Sequence, residues 1–262
     1  MNFYKKVKFI LKTVHGFISQ FGINLLKFKK IIFLPKFIFD LIQYKRLNGK
    51  IDYLYPVIGE NIESSGQIMP HYFYQDLIVA SYIFKNKPLK HVDIGSRLDG
   101  FVSHVASFRE IEIFDIRDNK IKHKNIKFNK IDLNNINEQL VNYTDSLSCL
   151  HTIEHFGLGR YGDQIDPHGY KKGLENLCRI LKKDGLLYIS FPISKKTKVV
   201  FNSERIFHPL DILKWKTELD LNLEKFEYID DEENIFYNVN LIELDINHLV
   251  NGCGIYTFKK TK

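Results

Sequence analysis

Two carboxylates at the ends of apolar runs carry the first chemical signal. Asp93 and Gly95 lie in His91-Val92-Asp93-Ile94-Gly95-Ser96, and twenty-two residues after Asp93 a second acid, Asp115, closes Ile111-Glu112-Ile113-Phe114-Asp115. A strand that delivers a carboxylate and a glycine to a tight turn lets the backbone approach a ligand closely, and an acid ending the next strand can hold ribose hydroxyls. The pair describes a site for an adenosyl nucleoside. Asp132 followed by Leu133 extends the series to a third strand end.

Two further motifs overlap between residues 151 and 162. His151-Thr152-Ile153-Glu154-His155 spells H-x-x-E-H, in which two histidines one helical turn apart bind zinc and the glutamate acts as base. A zinc hydrolase built on His151, Glu154 and His155 needs a stable helix and a third ligand. The run instead follows an apolar strand directly and breaks at Gly157 and Gly159. Gly157-Leu158-Gly159-Arg160-Tyr161-Gly162 spells the dinucleotide fingerprint G-x-G-x-x-G, which should sit between a strand and a helix. Asp166, Pro167, His168 and Gly169 come directly after it, so the segment reads as a glycine-rich loop able to order around a substrate.

These residues need elements to hold them. Hydrophobic patterning predicts a helix over 72–84, strands at 90–94, 111–115, 126–130 and 146–150, and helices near 101–107 and 170–181. A strand at 186–191, a helix at 209–218 and strands at 225–229 and 253–258 complete the chain. Alternating strands and helices make this an α/β domain with a mostly parallel sheet covered on both faces.

Composition narrows the partners. The chain has 262 residues, 44% of them apolar, enough for one α/β domain and an extension. Its formal charge of +7 is concentrated before residue 50, where Asp40 is the lone carboxylate, so it does not argue for nucleic acid. Apolar residues recur there at helical spacing in Phe9, Ile10, Val14, Phe17 and Ile18, and again in Ile31, Ile32, Phe33, Phe37 and Ile38, with Pro35 breaking the second run. Such basic amphipathic helices can lie on an anionic membrane surface, or pack on the domain or on a second subunit in a homo-oligomer. No stretch has the length of a spanning helix, and Cys149, Cys178 and Cys253, without CxxC spacing, read as free thiols of a reducing cytoplasm. The division expected is a helical extension over 1–50 and one domain over 51–262.

The run from His151 to Asp163, continuing through Asp166-Pro167 and Gly169, together with Asp93-Ile94-Gly95-Ser96, Asp99-Gly100-Phe101 and Phe201-Asn202-Ser203-Glu204-Arg205-Ile206-Phe207, resembles the bacterial family catalogued as domain of unknown function 268, over most of residues 70–258. That family is similar to class I S-adenosylmethionine-dependent methyltransferases and is associated with surface-polysaccharide genes. The resemblance implies a Rossmann-like fold with a seven-stranded sheet, its last strand inserted antiparallel. It also implies S-adenosylmethionine as cofactor, and a sugar, nucleotide-sugar or lipid-linked glycan hydroxyl as acceptor at the inner face of the cell membrane. Asp93, Gly95 and Ser96 match the segment that receives the methionine part, Asp115 and Ile116 the ribose acid, Asp132 and Leu133 the adenine pair. His151 would line the same pocket. Arg97 and Asp99 stand where the usual motif has glycines, which leaves open a non-catalytic scaffold in a membrane-associated assembly. A hydroxyl acceptor needs a base: His155 first, with Glu154 orienting it or serving instead, then Asp163 and His208. Arg160 and Arg205 could bind an anionic acceptor or pair with Asp163 and Glu204, and Tyr161 and Tyr72 complete the expected acceptor site. Asp99 and Asp163 leave open a divalent cation, although no metal-ligand spacing supports one.

Overall fold

The computed structural model describes residues 13–22, 30–62, 65–66, 68–247 and 249–262. Phe9 and Ile10 of the first amphipathic run lie outside the described residues. The chain divides into two compact units, 1–67 and 68–262.

In the first unit, residues 13–19 form helix α1 and Leu34–Arg46 forms α2. Pro35 opens α2 instead of breaking it: a first-turn nitrogen has no intrahelical acceptor, so a missing N–H costs nothing there. No residue of α2 is buried. Among the described residues no helix is long and apolar enough to cross a membrane.

The second unit begins with α3 (Pro70–Asn86) and an eight-stranded sheet. Its strands are β1 (His91–Ile94), β2 (Ile111–Asp115), β3 (Ile126–Lys130), β4 (Thr144–Leu150), β5 (Leu181–Ile193), β8 (Leu221–Ile229), β9 (Ile235–Phe236) and β10 (Gly252–Lys260). A separate hairpin is formed by β6 (Lys198–Val200) and β7 (Glu204–Ile206). The sheet order is β3-β2-β1-β4-β5-β10-β8-β9, parallel from β3 to β5, with β10 inserted antiparallel between β5 and β8. The inserted last strand is therefore as expected. The count is eight, since the two-residue β9 pairs with the outer edge of β8.

Period-two alternation splits the side chains between two faces. Val92, Ile94, Phe114 and Leu147 pack in one cluster with α5 (Gly169–Ile180) and α6 (Asp211–Glu218), while Ile111 and Ile113 pack in the other with α3 and α4 (Ser103–Ala106). Phe191, Phe207, Trp215 and Tyr256 make a run of ring contacts at 5.0–6.1 Å beneath α6, which fixes where β5 delivers the β6–β7 hairpin.

Register also explains a polar seam in the sheet. His91 lies opposite Ser146 and Asp93 opposite Ser148, so two serines spaced by two in an apolar strand meet buried polar partners across it. The His91 ring bonds both hydroxyls, at 2.8 and 3.1 Å, and burial lowers its pKa to about 3.

Candidate active site

The carboxyl ends of β1 to β4 open on one cleft, as the ends of parallel strands do where their connections diverge. Gly95, Asp115 and Ile116, Asp132 to Asn134, and then His151, His155 and Tyr161 line it in chain order. A wider part of the cleft adds Tyr72, Ser96, Arg97, Asp99, Asp118 and Asn119.

At the β1 end, Asp93 is fully buried and shapes the turn. Its carboxylate accepts from Ser96 N–H at 3.0 Å, Ser96 hydroxyl at 2.7 Å and Ser148 hydroxyl at 2.5 Å. Gly95 has φ +68°, and a Cβ there would lie 2.6 Å from Thr152, so the turn is closed to side chains in both conformation and space. The replaced glycines reshape the next few residues. Arg97 and Asp99 form a two-point ion pair at the surface, and Leu98–Val102 makes one wide turn before α4. Gly100 takes over the close approach to α3, where a Cβ would stand 2.5 Å from the Asp76 carboxylate.

Burial raises Asp76 to about 7 and Asp93 to about 6. Both folded-state values exceed that of an unfolded aspartate, so between pH 4 and 7 these two groups bind more protons in the native state and their contribution to stability falls as pH rises, while His71 and His91, lowered by burial to about 4 and about 3, act in the opposite sense. Thermal unfolding of the wild-type protein is expected to rise relative to that of Asp76→Asn when pH is lowered from 8 to about 5.5, because only the wild-type chain gains the Asp76 proton. An equal pH response in the two proteins would refute the burial argument for Asp76.

At the β2 end, Arg117 holds Asp115. Its backbone N–H and Nε bond Oδ1 at 2.8 and 3.0 Å, and Nη2 bonds Oδ2 at 2.7 Å. The same guanidinium lies over the Tyr161 ring at 4.3 Å, so a loop residue and Asp115 are joined through it. At the β3 end, Asp132 caps the turn Leu133–Asn135 by accepting from Asn134 N–H and the Asn135 amide. Asn134 Oδ1 is buried without a hydrogen-bond partner beside the cleft, an acceptor that fits an exocyclic amine.

The β4 end carries the histidines. His151 has φ +48° and is held there by Ser190, whose carbonyl and hydroxyl accept its N–H at 3.0 and 3.1 Å. Its Nδ1 bonds Glu154 Oε1 at 2.9 Å, and its ring packs on Tyr72 at 4.9 Å and His71 at 5.8 Å. Burial disfavours the imidazolium, yet the Cys253 sulfur and the Glu154 carboxylate outweigh it and raise the His151 pKa. Ile153–His155 forms a single short turn instead of a helix, and among the described residues no cluster of His, Cys, Asp or Glu has the arrangement of a metal site. The helix that the zinc reading requires is not formed here.

His155 Nδ1 lies 2.7 Å from the Ser203 carbonyl in the β6–β7 hairpin. A carbonyl only accepts, so Nδ1 carries the proton and the neutral ring keeps its lone pair on Nε2. Nε2 stands 3.9 Å from Glu154 Oε1, beyond hydrogen-bond distance. His155 lines both parts of the cleft, and Tyr161 meets its ring edge-on at 5.5 Å.

Three expected site residues hold the loop or a helix end, and Asp163 among them also lines the cleft. Asp163 accepts from the N–H groups of Gly157, Gly159 and Tyr161 at 2.7–3.2 Å. Arg205 is buried and donates to the carbonyls of Glu154, Phe156, Asp166 and Pro167 while lying over Tyr170, so its fork is committed to backbone and cannot bind an anionic acceptor. His208 sits outside the cleft, where Nδ1 accepts from Leu210 N–H at the start of α6; that bond makes it a helix-end residue instead of a base. Arg160 donates to Ser203 O at 3.0 Å and lies over Tyr161, paired with neither Asp163 nor Glu204. Gly157 is required by the loop: φ is +75° and a Cβ would fall 1.9 Å from Asp166 O.

Arg205→Ala would strand several buried carbonyls and is expected to cost about 3 kcal/mol or more in chemical denaturation. Unchanged stability with weaker acceptor binding would return Arg205 to the acceptor site.

Arg117, Asn134 and the Ser203 carbonyl are the site features that sequence reasoning missed. A serine pair in β4 was the only signal pointing at the Asp93 network, and a main-chain carbonyl leaves none.

This arrangement is a Rossmann-like methyltransferase fold. Solved structures share it: the YcgJ protein from Bacillus subtilis, at TM-score 0.51 and 10% identity over 72% of this chain and 99% of that one, and a putative methyltransferase from Bacillus halodurans, at 0.50 and 13% over 70% and 99%. A third is the 1,6-didemethyltoxoflavin-N1-methyltransferase from Burkholderia thailandensis, at 0.50 and 13% over 73% and 79%. Identities this low speak for the fold alone. The family described as "Caenorhabditis protein of unknown function, DUF268" matches residues 100–232, and the chain belongs to that family. Its description names Caenorhabditis, so membership carries no bacterial setting. No curated protein matches the chain.

Proposed function

We propose that this chain transfers a methyl group from S-adenosylmethionine to a hydroxyl of a sugar, in a surface polysaccharide or its nucleotide- or lipid-linked precursor. One observation carries the reading: Gly95, Asp115 and Asp132 to Asn134 stand in order along one cleft at consecutive strand ends. The unpartnered Asn134 Oδ1 suits the adenine amine, and the neighbour from Burkholderia thailandensis holds S-adenosylhomocysteine.

When bound, the cofactor supplies an electrophilic methyl on a sulfonium. The chain's own residues do the rest. Asp115 would hold the ribose diol and the Gly95 turn the methionine part. Tyr161, on its glycine-flanked loop, would exclude water from the reacting centre. His155 supports a hydroxyl acceptor, because its Nε2 lone pair is oriented by the Nδ1–H bond to Ser203 and can take the proton the hydroxyl loses. Sugar is the acceptor class that the family resemblance implies, and Tyr72, Asp118 and Asn119 give the mouth of the cleft a ring and polar groups that suit one.

A second reading, a scaffold that binds without transferring, is favoured by the hold of Arg117 on Asp115 and by the Arg97–Asp99 pair in place of glycines. Calorimetry with S-adenosylmethionine and S-adenosylhomocysteine comes first, and absence of binding by either would refute the cofactor. Labelled-methyl transfer to polysaccharides, lipid-linked sugars and nucleotide sugars comes second. Binding without transfer to any of them would favour the scaffold.

A further inference from the structure

The first unit has an apolar surface of its own that the methyltransferase reading does not use. In α2, Leu34, Ile38 and Ile42 recur every fourth residue, which places them along one side of the helix, and Phe39 lies beyond them. All four are exposed, Ile38 and Ile42 at 46% and Phe39 at 64%. The helix does pack within its unit, but through another side: Phe33 and Phe37 share a groove with Val57 and Ile58. The apolar arc of α2 is thus wider than the part its own unit covers. Phe17 and Phe21, in edge-to-face contact at 5.3 Å, and Ile31 and Ile32 are exposed as well.

Charge decides what this surface fits. The first unit, 1–67, contains eleven of the 38 lysines and arginines but four of the 31 acids, of which Lys36 neutralises Asp40 at 2.6 Å and Lys50 pairs with Asp52 at 3.1 Å. Lys45 and Arg46 occupy the last turn of α2, next to the exposed apolar side, and their aliphatic stems can lie along it while the charges reach outward. A second copy of this unit would bring the same dense positive charge against itself. An acidic protein would match the charge, yet it would not accept so many separate phenylalanine and isoleucine side chains without a groove of its own. A layer of anionic headgroups over an acyl interior matches both, because the charges meet phosphates at the depth where the rings and aliphatic chains leave water.

We infer that the first unit docks on anionic lipid, with α2 lying in the plane of the interface, Leu34, Ile38, Phe39 and Ile42 entering the acyl boundary, and Lys45 and Arg46 at headgroup level. The surface is a peripheral anchor, in which α2 lies along the bilayer and does not cross it.

Flotation of the full chain with vesicles tests this. The protein is expected to float with mixed phosphatidylglycerol–phosphatidylcholine vesicles and to partition at least about tenfold less onto pure phosphatidylcholine. Each basic residue near an anionic surface contributes about fivefold to partitioning. Lys45→Glu with Arg46→Glu should therefore lower partitioning by more than about tenfold and weaken its salt dependence. Ile38→Ser with Ile42→Ser should reduce partitioning comparably at unchanged charge. These side chains are exposed, and an unchanged thermal unfolding transition would confirm that both variants fold. Failure of the wild-type chain to float with the anionic vesicles overturns the inference. So does equal partitioning onto neutral vesicles, or a dimer in light scattering that Ile38→Ser with Ile42→Ser converts to a monomer, which would assign the face to a second copy. None of these outcomes depends on cofactor binding, so the methyltransferase reading can stand or fall separately.

Discussion

Replacing His155 with alanine is expected to lower kcat by roughly 10²- to 10⁴-fold, the usual contribution of a positioned general base, while S-adenosylmethionine affinity changes by less than about threefold. The expectation comes from the way the ring is held. Ser203 O fixes the protonated nitrogen, leaving the other nitrogen as the basic one, and the ring lines both the narrow and the wider part of the cleft. His155→Gln keeps a donor for Ser203 but has no imidazole lone pair, so it should be as inactive as alanine and more stable. A proportionate fall in cofactor affinity in both variants would make His155 a wall of the pocket. Unchanged kcat would move the base elsewhere.

Glu154 and His151 are the neighbours to consider in that event. Glu154 is fully buried, bonds His151 through Oε1, and leaves Oε2 without a partner. A buried carboxylate of this kind is stable only where a cation or donor faces it, and the His151 Nδ1–H, 2.9 Å from Oε1 on a ring whose pKa is raised, supplies that donor. The pair is best suited to fixing the His151 ring against Tyr72 at the end of β4. A proton held by such a pair is not readily exchanged with an acceptor, which is why His155, not His151, is assigned the transfer.

The parts of this molecule that the sequence made legible are those where chemistry follows a period. β1 and β2 alternate, and the acids at their ends mark the cleft because strand ends are where a parallel sheet binds. The inserted β10 required the family resemblance, since nothing in an apolar run such as Gly252–Lys260 states its direction. The β6–β7 hairpin was illegible for a different reason: β6 is exposed along its whole length, so no burial pattern announces it. Arg205 and Asp163 show the limit most clearly. A charged residue in a glycine-rich loop can bind a ligand or satisfy the loop's own peptide groups, and both uses select the same residue types. Loop 157–169 turns sharply at three left-handed glycines, which leaves N–H and carbonyl groups pointing inward, and those groups took Asp163 and Arg205. Arg117 was missed by the opposite route, since an arginine two residues after a strand-end acid reads as an ordinary surface charge until its two-point bond to Asp115 is seen.

That bond sets the second large effect. Asp115→Asn is expected to weaken S-adenosylmethionine binding by roughly 50-fold, because two charge-assisted hydrogen bonds to the ribose become neutral ones. Arg117→Ala should act in the other direction. Ribose hydroxyls and the Arg117 guanidinium need the same two carboxylate oxygens, so removing the arginine frees them. The Arg117 side chain is 52% exposed and that of Asp115 14%, so the pair is partly screened and the gain should not exceed about fivefold. Loss of a nearby positive charge would also favour the cationic sulfonium, and S-adenosylhomocysteine, which lacks that charge, separates the two causes: equal tightening of both ligands points to competition for Asp115. Competition further requires that Arg117→Ala have no benefit once Asp115 is Asn, so the two substitutions should be strongly non-additive in calorimetric titrations. Weaker binding in Arg117→Ala would mean that the guanidinium contacts the nucleoside directly, and its hold on Asp115 would then be one of two positions it can take instead of a barrier to the ribose.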